Sequence, residues 1–295
     1  MDVCVITGGS GDMGIETAKL LGKNKKIIIV GRNEDKLKRA IENIKKEGVE
    51  AEYFIGDVSS RDSVKELVKF AKERGNIKIL IHAAGVSPTM ASAETLFKIN
   101  SVGTVIVNEE FLPEIVRGGV VLNVSSMSAY FLDIDERLKQ VFSLSLVSEQ
   151  AFTAALQEVV KNFPPEQASN YAYPISKNFV VWYTEQMALK YGKNGIRVVS
   201  ISPGTFDTEM GKKEGERAAA LAKMGPIGRV GQPQEIAKMM NFMVSDECSY
   251  LTGVDILYDG GAVAAYRAMR KAQAQAQAQA QDPKLMLKLK RDTYC

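Results

Sequence analysis

A tyrosine and a lysine stand four positions apart in the segment Tyr173-Pro-Ile-Ser-Lys177. On a helix, positions i and i+4 share a face, so the lysine ammonium lies beside the phenol. A free tyrosine has a pKa of about 10, too high for a base at neutral pH, and a fixed ammonium nearby favours the phenolate. A phenol tuned in this way can protonate a carbonyl oxygen or deprotonate an alcohol. The pair therefore predicts acid–base chemistry on a carbonyl/alcohol pair.

A glycine-rich turn near the N-terminus, Gly9-Ser-Gly11-Asp-Met-Gly14, fits the pattern G-x-G-x-x-G. Glycines let the backbone approach a pyrophosphate, which the N-terminus of the next helix stabilises. A strand-like run precedes the turn and a helical pattern follows it, which favours dinucleotide binding over an ordinary turn. Together with the tyrosine and lysine, the turn predicts hydride transfer. The residues expected to contact the cofactor here are Gly8, Ser10, Gly11, Asp12, Met13 and Gly14.

Arg32 follows the second predicted strand, at a place where an NAD enzyme has an acid for the ribose 2′-hydroxyl. A guanidinium matches a 2′-phosphate by bidentate geometry, so Arg32 favours NADP(H) over NAD(H), and Asn33 beside it is also expected to contact the cofactor. In the alternative interpretation Arg32 is a solvated charge and Asn33 caps the next helix. Asp57 and Val58 end the third predicted strand, where the carboxylate can meet the adenine or cap a helix.

Short β-branched runs alternate with amphipathic helical stretches along most of the chain, which indicates a parallel α/β sheet. Continuous apolar runs such as Ile27-Ile28-Ile29-Val30 suit strands that are covered on both faces. We therefore predict one doubly wound Rossmann domain over residues 1–261 with a seven-stranded parallel sheet. Its predicted strands are Val3 to Ile6, Lys26 to Val30, Ala51 to Ile55, Ile79 to Ala83, Val120 to Val124, Arg197 to Ile201 and Val254 to Tyr258.

Two segments depart from this alternation. Between Ser126 and Tyr173 lie 46 residues, which include a helical pattern from Ser148 to Phe163 before Pro164-Pro165, and we predict a helical insertion over 127–170. Residues 262–295 form a C-terminal extension with an Ala-Gln repeat, which fits a low-complexity linker or a marginal helix. The basic run Lys284 to Arg291 could dock on a subunit, an acidic partner or a membrane surface, with a solvated tail as the simpler expectation.

Composition narrows the functional classes. Seven basic and two acidic residues follow Tyr266, a balance of +5, which leaves −2 on residues 1–266 of a chain whose formal charge is +3. The body is therefore not expected to bind nucleic acid. No apolar run approaches the roughly 18 residues of a spanning helix, and the three cysteines imply no disulfide framework. Because a strand-like run starts at Asp2, we expect no leader peptide. We expect a cytoplasmic protein without a transmembrane segment, and we assign no metal ligands.

The ordered set of motifs resembles the short-chain dehydrogenase/reductase family over about residues 3 to 261. It comprises the glycine turn, His82-Ala83-Ala84-Gly85, Ile99-Asn100-Ser-Val-Gly103, Asn123-Val-Ser-Ser126, Tyr173-x-x-x-Lys177, Pro203-Gly204 with Thr208, and Gly228-Arg229 through Thr252-Gly253 to Asp259-Gly260-Gly261. The first motif departs from the compact branch, because its T-G-x-x-G-x-x-G spacing is that of extended or atypical branches. His82 replaces an asparagine, and we expect it to be structural.

The resemblance implies roles for particular residues. Tyr173 would be the general acid or base, Ser126 would hydrogen-bond the carbonyl oxygen, Lys177 would also hold the nicotinamide ribose, and Asn100 would position a water that connects the lysine to solvent. Tyr171 and Ser125 are neighbours that we do not assign to catalysis. Further cofactor contacts are implied for Ala83, Gly85, Pro203, Gly204, Thr205 and Thr208, besides Tyr173 and Lys177.

The insertion, the Ser125-Ser126-Met-Ser-Ala start and the Asn170-Tyr-Ala-Tyr-x-x-Ser-Lys-Asn178 end resemble bacterial 3α-hydroxysteroid dehydrogenase/carbonyl reductases. This resemblance implies altered oligomer contacts, a homo-oligomer, and a hydroxysteroid, bile acid or bulky ketone as the small-molecule substrate. The insertion and a mobile lid over 206–224 would wall the substrate, and lysines of the lid could meet a carboxylate or simply be solvated. Two alternatives stay open: a 3-oxoacyl carrier-protein reductase and a noncatalytic dinucleotide-binding protein.

Overall fold

The computed structural model of the protein describes residues 1–280, apart from the side chains at 166, 214, 217 and 278–280. The basic run Lys284 to Arg291, whose sequence suits either docking or solvation, lies outside the described residues. Within them the chain forms one sheet with helices on both faces, which confirms the predicted single-domain α/β class.

Seven parallel strands form the sheet in the order β3-β2-β1-β4-β5-β6-β7. The order reverses between β1 and β4, and ligands of doubly wound sheets bind at such a reversal, outside the carboxyl ends of the strands. The strands are β1 Asp2–Thr7, β2 Lys26–Gly31, β3 Ala51–Ile55, β4 Asn76–His82, β5 Ile115–Val124, β6 Arg197–Pro203 and β7 Asp255–Tyr258.

The helices that cover the sheet are α1 Asp12–Leu21, α2 Glu34–Lys45, α3 Arg61–Lys72, α4 Ala93–Leu96, α5 Gly103–Phe111, α6 Glu136–Ser143, α7 Glu149–Val160, α8 Pro165–Lys193, α9 Glu209–Met224, α10 Pro233–Val244 and α11 Ala262–Ala280. A π-helical segment, Phe97–Val102, joins α4 to α5. Short 3₁₀ helices span Met127–Phe131, Leu144–Leu146 and Asp246–Cys248.

The strands are apolar on both faces because each face has its own core. Val3 and Val5 pack into the core under α3, α5 and α8, whereas Cys4 and Ile6 pack into the core under α1, α2 and α10. All four side chains are fully buried. This alternation is the one expected for a parallel sheet covered by helices on both sides.

The segment between Ser126 and Tyr173 is helical and folds onto α8 through aromatic side chains. Phe142 of α6 and Phe152 of α7 are fully buried, with ring centroids 5.3 Å and 4.7 Å from Phe179 of α8. The two prolines do not end α7, which already ends at Val160. Instead Pro165 is the first residue of α8, where its missing N–H costs no hydrogen bond. Residues 165–170 of the predicted insertion therefore belong to the helix that carries Tyr173.

The residues after the glycine pair Gly260-Gly261 form α11, which starts against the 3₁₀ helix Met127–Phe131. Ala262 and Val263 are buried with Met127, and the rings of Phe131 and Tyr266 meet edge to face at 4.7 Å. The C-terminal helix thus supports the segment that follows Ser126. Among residues 1–280, no helix combines the length and the apolar character needed to cross a lipid bilayer.

Candidate active site

Tyr173 and Lys177 lie on α8, as their spacing predicted, and Pro174 stands between them. Pro174 cannot donate a main-chain hydrogen bond, so the helical ladder is interrupted next to the phenol. The Ser176 hydroxyl donates to the carbonyl oxygen of Tyr173 at 2.8 Å and is itself fully buried. Tyr173 is partly buried against the apolar core, and this places a phenol at the border between the core and the open edge of the sheet.

Lys177 is tied to the carboxyl end of β5 at two points. Its ammonium Nζ donates to the carbonyl oxygen of Val124 at 3.1 Å, and the Ser125 hydroxyl donates to the Lys177 carbonyl oxygen at 2.6 Å. The residue is only 6% exposed. These two bonds fix the height of α8 relative to β5, and with it the position of Tyr173.

The same contact separates the two serines that follow β5. The Ser125 hydroxyl is buried and used to hold α8, whereas Ser126 is partly exposed and caps the 3₁₀ helix by accepting a hydrogen bond from the Ser128 N–H at 3.2 Å. A hydroxyl that accepts in this way keeps its own proton to donate. Ser126 is therefore the serine whose hydroxyl can still act as a donor.

Asn100 is held inside the π-helical segment, a distortion that is frequent at functional sites. Its side chain accepts from the Val86 N–H at 2.9 Å and donates to the Val86 carbonyl oxygen at 3.0 Å and to the Ser176 hydroxyl at 3.2 Å. The residue is 1% exposed. Asn100 thus connects the segment after β4 with the helix of Tyr173 and Lys177.

The glycine turn packs directly against the end of β4. Gly8 has φ 68°, in the left-handed region that favours glycine, and a β-carbon there would lie 2.8 Å from the carbonyl carbon and oxygen of Ala83 and from the Ala84 nitrogen. The N-cap residue Gly11 brings no side-chain acceptor to the N-terminus of α1. A backbone this close, followed by an uncapped helix start, fits the cradle of a pyrophosphate.

Two residues of the glycine turn, Asp12 and Ser10, have side chains that contact other elements of the fold. The Asp12 carboxylate accepts a 2.7 Å hydrogen bond from the N–H of Glu209, the first residue of α9. The Ser10 hydroxyl lies beside Gly31 at the end of β2. The main chain of Met13 accepts from the Thr17 hydroxyl within α1, and Gly14 packs against Gly9.

The candidates for cofactor selectivity surround the ends of β2 and β3. Asn33 caps α2, because its side chain accepts from the Lys36 N–H at 2.9 Å, whereas Arg32 is exposed. Burial alone would raise the pKa of Asp57, but hydrogen bonds from Ser59 and the charges of Arg32 and Lys98 lower it below its usual value. Asp57 therefore stays ionised, and Val58 beside it is buried.

The end of β6 leads into α9 through residues that contact that helix. Gly204 is confined, because a β-carbon there would lie 2.6 Å from the Asp259 α-carbon. The Thr205 hydroxyl donates to the Ala218 carbonyl oxygen at 3.0 Å, and Thr208 caps α9 by accepting from the Gly211 N–H at 2.9 Å. Pro203 is the last residue of β6. Pro203, Gly204, Thr205 and Thr208 therefore lie at the same edge of the sheet as the glycine turn. Within α9, Gly215 has non-helical angles that mark a kink.

Tyr171, the neighbouring tyrosine, takes no part in this arrangement. It is 47% exposed, and its ring stacks on Phe163 with centroids 4.5 Å apart. Sequence reasoning did not find the contact of Asp12 with Glu209 or the bridging role of Ser176, because both depend on residues that only the fold brings together. For the role of Ser176, the sequence offered one signal, which is the position of this serine between Tyr173 and Lys177.

Comparison with known proteins shows the family of the chain. A model described as short chain dehydrogenase matches residues 2–134, and one described as Enoyl-(Acyl carrier protein) reductase matches residues 151–263. An uncharacterized oxidoreductase of Bacillus subtilis (strain 168), YxbG, is 31% identical over 280 residues, covering 88% of this chain and 90% of that protein. Short-chain dehydrogenase/reductase bsc3 of Alternaria brassicicola is 30% identical over 263 residues, covering 87% and 94%. The chain belongs to the short-chain dehydrogenase/reductase family and is an oxidoreductase acting on CH–OH groups.

More distant relatives share the same architecture. The 3-oxoacyl-[acyl-carrier-protein] reductase FabG of Thermotoga maritima is 28% identical over 277 residues, covering 88% of this chain and 97% of that protein. A short-chain dehydrogenase/reductase from Serratia marcescens BCRC 10948 superposes with a TM-score of 0.71 at 21% identity, over 89% of this chain and 98% of that one. A short chain dehydrogenase from Burkholderia cenocepacia J2315 in complex with NADP gives 0.69 at 21% identity, over 88% and 96%. At such identities the two structures show the fold.

Proposed function

We propose that the protein interconverts a secondary alcohol and a ketone with NADP(H), and that Tyr173 carries the proton. The observation that carries this proposal is that the elements bearing Tyr173, Lys177, Ser126 and Asn100 meet at the carboxyl edge of the sheet and are tied together by hydrogen bonds. When bound there, the nicotinamide ring supplies or accepts the hydride. The phenol of Tyr173 gives the proton to the carbonyl oxygen or takes it from the alcohol, while the Ser126 hydroxyl donates to the same oxygen.

Lys177 and Asn100 support the phenol in this proposal. The ammonium of Lys177 stabilises the phenolate and can hold the ribose hydroxyls of the cofactor. Asn100 is held by Val86 and Ser176, which favours the expected role of positioning a water that leads from Lys177 to solvent. Val86 and Ser176 thus keep the amide in place while the proton moves.

The residues around the edge fit a dinucleotide. Gly8, Gly11, Met13 and Gly14 would hold the pyrophosphate by their main chain, and Ser10 and Asp12 would line the same turn. The adenosine side would meet Arg32, Asn33, Asp57 and Val58, and the nicotinamide side Ala83, Gly85, Pro203, Gly204, Thr205 and Thr208. The close contact of Gly8 with Ala83 supports this arrangement, because it joins the two halves of the cradle.

We propose NADP(H) over NAD(H) on the strength of Arg32. Its side chain is exposed near the ionised Asp57, where a guanidinium would meet a 2′-phosphate. Asn33 is occupied as the cap of α2, which leaves Arg32 as the residue that decides the preference. An Arg32→Ala variant should raise KM for NADPH and leave KM for NADH nearly unchanged, and equal effects on both would contradict the assignment.

For the substrate we propose a hydroxysteroid, a bile acid or another bulky carbonyl compound, as the resemblance of the insertion to bacterial 3α-hydroxysteroid dehydrogenase/carbonyl reductases suggests. The apolar side chains of α6 and α7 face the core, so the insertion would contribute to a substrate wall chiefly through the 3₁₀ helix after Ser126 and the start of α8. In the proposed lid, Lys212 pairs with Asp207 at 3.0 Å and both are largely exposed. A substrate carboxylate would compete with this weak pair. A homo-oligomer and a cytoplasmic location remain predictions.

The competing activity is that of a 3-oxoacyl carrier-protein reductase, which the relationship to the Thermotoga maritima protein favours. A screen of ketosteroids, oxo bile acids, simple ketones and 3-oxoacyl thioesters with NADPH, followed by absorbance of the reduced cofactor, separates the two. We expect the bulky ketones to be reduced fastest. A preference for the thioesters would overturn the substrate proposal, and the loss of most turnover in Tyr173→Phe serves as the control that the reaction depends on this site.

A further inference from the structure

Five polar residues cross the sheet at one register. Thr7 of β1 is paired with His82 of β4, His82 with Asn123 of β5, Asn123 with Ser200 of β6, and Ser200 with Asp255 of β7. Thr7, His82, Asn123 and Ser200 are at most 2% exposed. Buried polar groups need partners, so such a row in an otherwise apolar sheet calls for an explanation.

His82 is the member of this row that reaches the active-site segment. Its Nδ1 lies 2.8 Å from the Thr7 hydroxyl, and its Nε2 lies 3.1 Å from the hydroxyl of Thr104 on α5. Thr104 in turn donates to the main-chain carbonyl oxygen of Asn100 at 2.7 Å. A histidine therefore connects the end of β1 to the backbone of Asn100.

Counting protons fixes the tautomer of this ring. The Thr104 hydroxyl has one proton, which it gives to Asn100, so it must accept from His82, and Nε2 must carry the ring proton. Nδ1 is then an acceptor and receives the proton of the Thr7 hydroxyl, which itself accepts from the Ala84 N–H at 3.2 Å. Every donor and acceptor in this series of hydrogen bonds is satisfied only if the imidazole of His82 is neutral and protonated at Nε2.

The chain of hydrogen bonds continues to the catalytic helix. The Asn100 amide donates to the Ser176 hydroxyl, and Ser176 donates to the carbonyl oxygen of Tyr173. Ala84 and Thr7 lie at the glycine turn, and Tyr173 lies on α8. These hydrogen bonds, joined through the covalent frame of Asn100, therefore connect the cofactor cradle to the residue proposed to carry the proton.

We propose that His82 is a positioning residue: by donating from Nε2 to Thr104 it holds the π-helical segment of Asn100 in register with the glycine turn. The proposal rests on the proposed function, because the position of this segment matters for catalysis only if Asn100 and Lys177 must stay at fixed distances from the nicotinamide side of the cofactor. An asparagine at this position can replace only Nδ1, because its side chain is too short to reach Thr104. The histidine thus makes a connection to Thr104 that an asparagine at this position could not make.

The electrostatics agree with a neutral ring. Burial, and to a smaller extent the positive charge of Lys177, lowers the pKa of His82 to about 3. The groups that face the ring from β1, β5 and α5 are Thr7, Asn123 and Thr104, which carry no charge, so Lys177 on α8 is the charged group that acts on it. No carboxylate among these neighbours favours a protonated imidazole.

The first test reads the tautomer directly, because the chain contains a single histidine. The full-length protein, made without a histidine tag and with ¹⁵N-labelled histidine, should give one imidazole spin system in a two-bond ¹H–¹⁵N spectrum. We expect the Nε2-protonated pattern, unchanged across the neutral range and shifted toward the other tautomer in Thr104→Val. A protonated ring or an Nδ1-protonated ring in the unmodified protein would overturn the proposal, whatever the activity proves to be.

The second test separates positioning from mere stability. Glutamine can place an amide donor where Nε2 stood, whereas asparagine places its amide near Nδ1, so His82→Gln should keep the contact with Thr104 and His82→Asn should lose it. We expect His82→Asn and Thr104→Val each to lower kcat, with the best ketone of the screen, by about tenfold or more, as for a misplaced group. Their double variant should be no worse than either single one. His82→Gln should retain most of the turnover.

The matched control is Ser200→Ala, which removes a partly buried 2.6 Å hydrogen bond to Asp255 in the same row without touching Asn100. It should lower the thermal midpoint while leaving kcat and the side-chain amide resonance of Asn100 unchanged. His82→Asn should shift that resonance. Equal turnover of His82→Asn and His82→Gln, or an unmoved Asn100 resonance in His82→Asn, would refute the positioning role. A screen in which nothing is reduced would instead count against the proposed function and leave the resonance test intact.

Discussion

Lys177 and Asn100 converge on the same point beside Gly85. A β-carbon built on Gly85 would lie 3.2 Å from the Lys177 ammonium nitrogen and 3.3 Å from the Asn100 side-chain oxygen. These distances are tighter than ordinary van der Waals contact, so a methyl group there would have to displace one of the two polar groups. The residue after Ala84 is thus a glycine because the site needs the space.

Gly85→Ala should therefore impair catalysis without unfolding the protein. The angle φ of Gly85 is not in the left-handed region, so alanine brings no backbone strain of its own. We expect kcat to fall by about tenfold or more, because the ammonium moves relative to the phenol, with a thermal midpoint close to that of the unmodified chain. Gly192→Ala on α8, where a β-carbon meets nothing within 4 Å, is the control and should change stability by no more than about 1 kcal/mol and turnover not at all.

Tyr173→Phe should lower kcat by roughly 10²- to 10⁴-fold, the contribution of a general acid or base. Binding of NADPH, followed by its fluorescence, should be nearly unchanged, because the phenyl ring keeps the packing against the core. Tyr171→Phe is the matched control two residues away, since that ring stacks on Phe163 at the surface. If Tyr171→Phe proved to be the inactive variant, the assignment of the phenol would be wrong.

The sheet could be predicted because each strand contains a short run of apolar, mostly β-branched residues, and all seven strands were found. The start of β5 was missed: the strand begins at Ile115, five residues before Val120. The reason is local, because Gly118 has φ 78° and the register with β4 shifts between Ile77 and Ile79. A glycine-containing irregularity carries no apolar alternation that a sequence pattern could reveal.

The site was predictable only where its geometry is local. Tyr173 and Lys177 share a helix face by their spacing, and that holds on α8. The contacts of His82 join residues 75 and 22 positions away, and Asp12 meets Glu209 across 197 positions. Such contacts depend on the order of the strands in the sheet and on the position of α9. Neither can be predicted from the spacing of residues along the chain.

Asp12→Ala should loosen the start of α9. The Glu209 N–H would lose a charge-assisted acceptor at 2.7 Å, and the remaining cap is the Thr208 hydroxyl. We expect faster amide hydrogen exchange at Glu209–Met224, with the rest of the sheet unchanged. Lys36→Ala is the control: it removes a 2.8 Å ion pair to the same glutamate, but both side chains are largely exposed, and such pairs contribute little. Equal exchange in the two variants would show that Asp12 does not anchor the helix.

His82 should also leave a signature in the acid stability of the protein. Its pKa is lowered, by burial first and by the charge of Lys177 second, to about 3 in the folded chain, below the value of about 6.5 expected for an unfolded histidine. The unfolded chain therefore binds a proton that the folded chain refuses, so the stability due to the neutral ring is complete above about pH 6.5 and decreases as the pH falls toward 3. Between about pH 7.5 and about pH 5.5 the free energy of unfolding should drop by about 1.4 kcal/mol more in the unmodified protein than in His82→Gln. Urea unfolding at the two pH values measures this difference, in which the contributions of carboxylates cancel. Parallel pH dependence of the two proteins would mean that the imidazole is protonated as readily in the folded state as in the unfolded one.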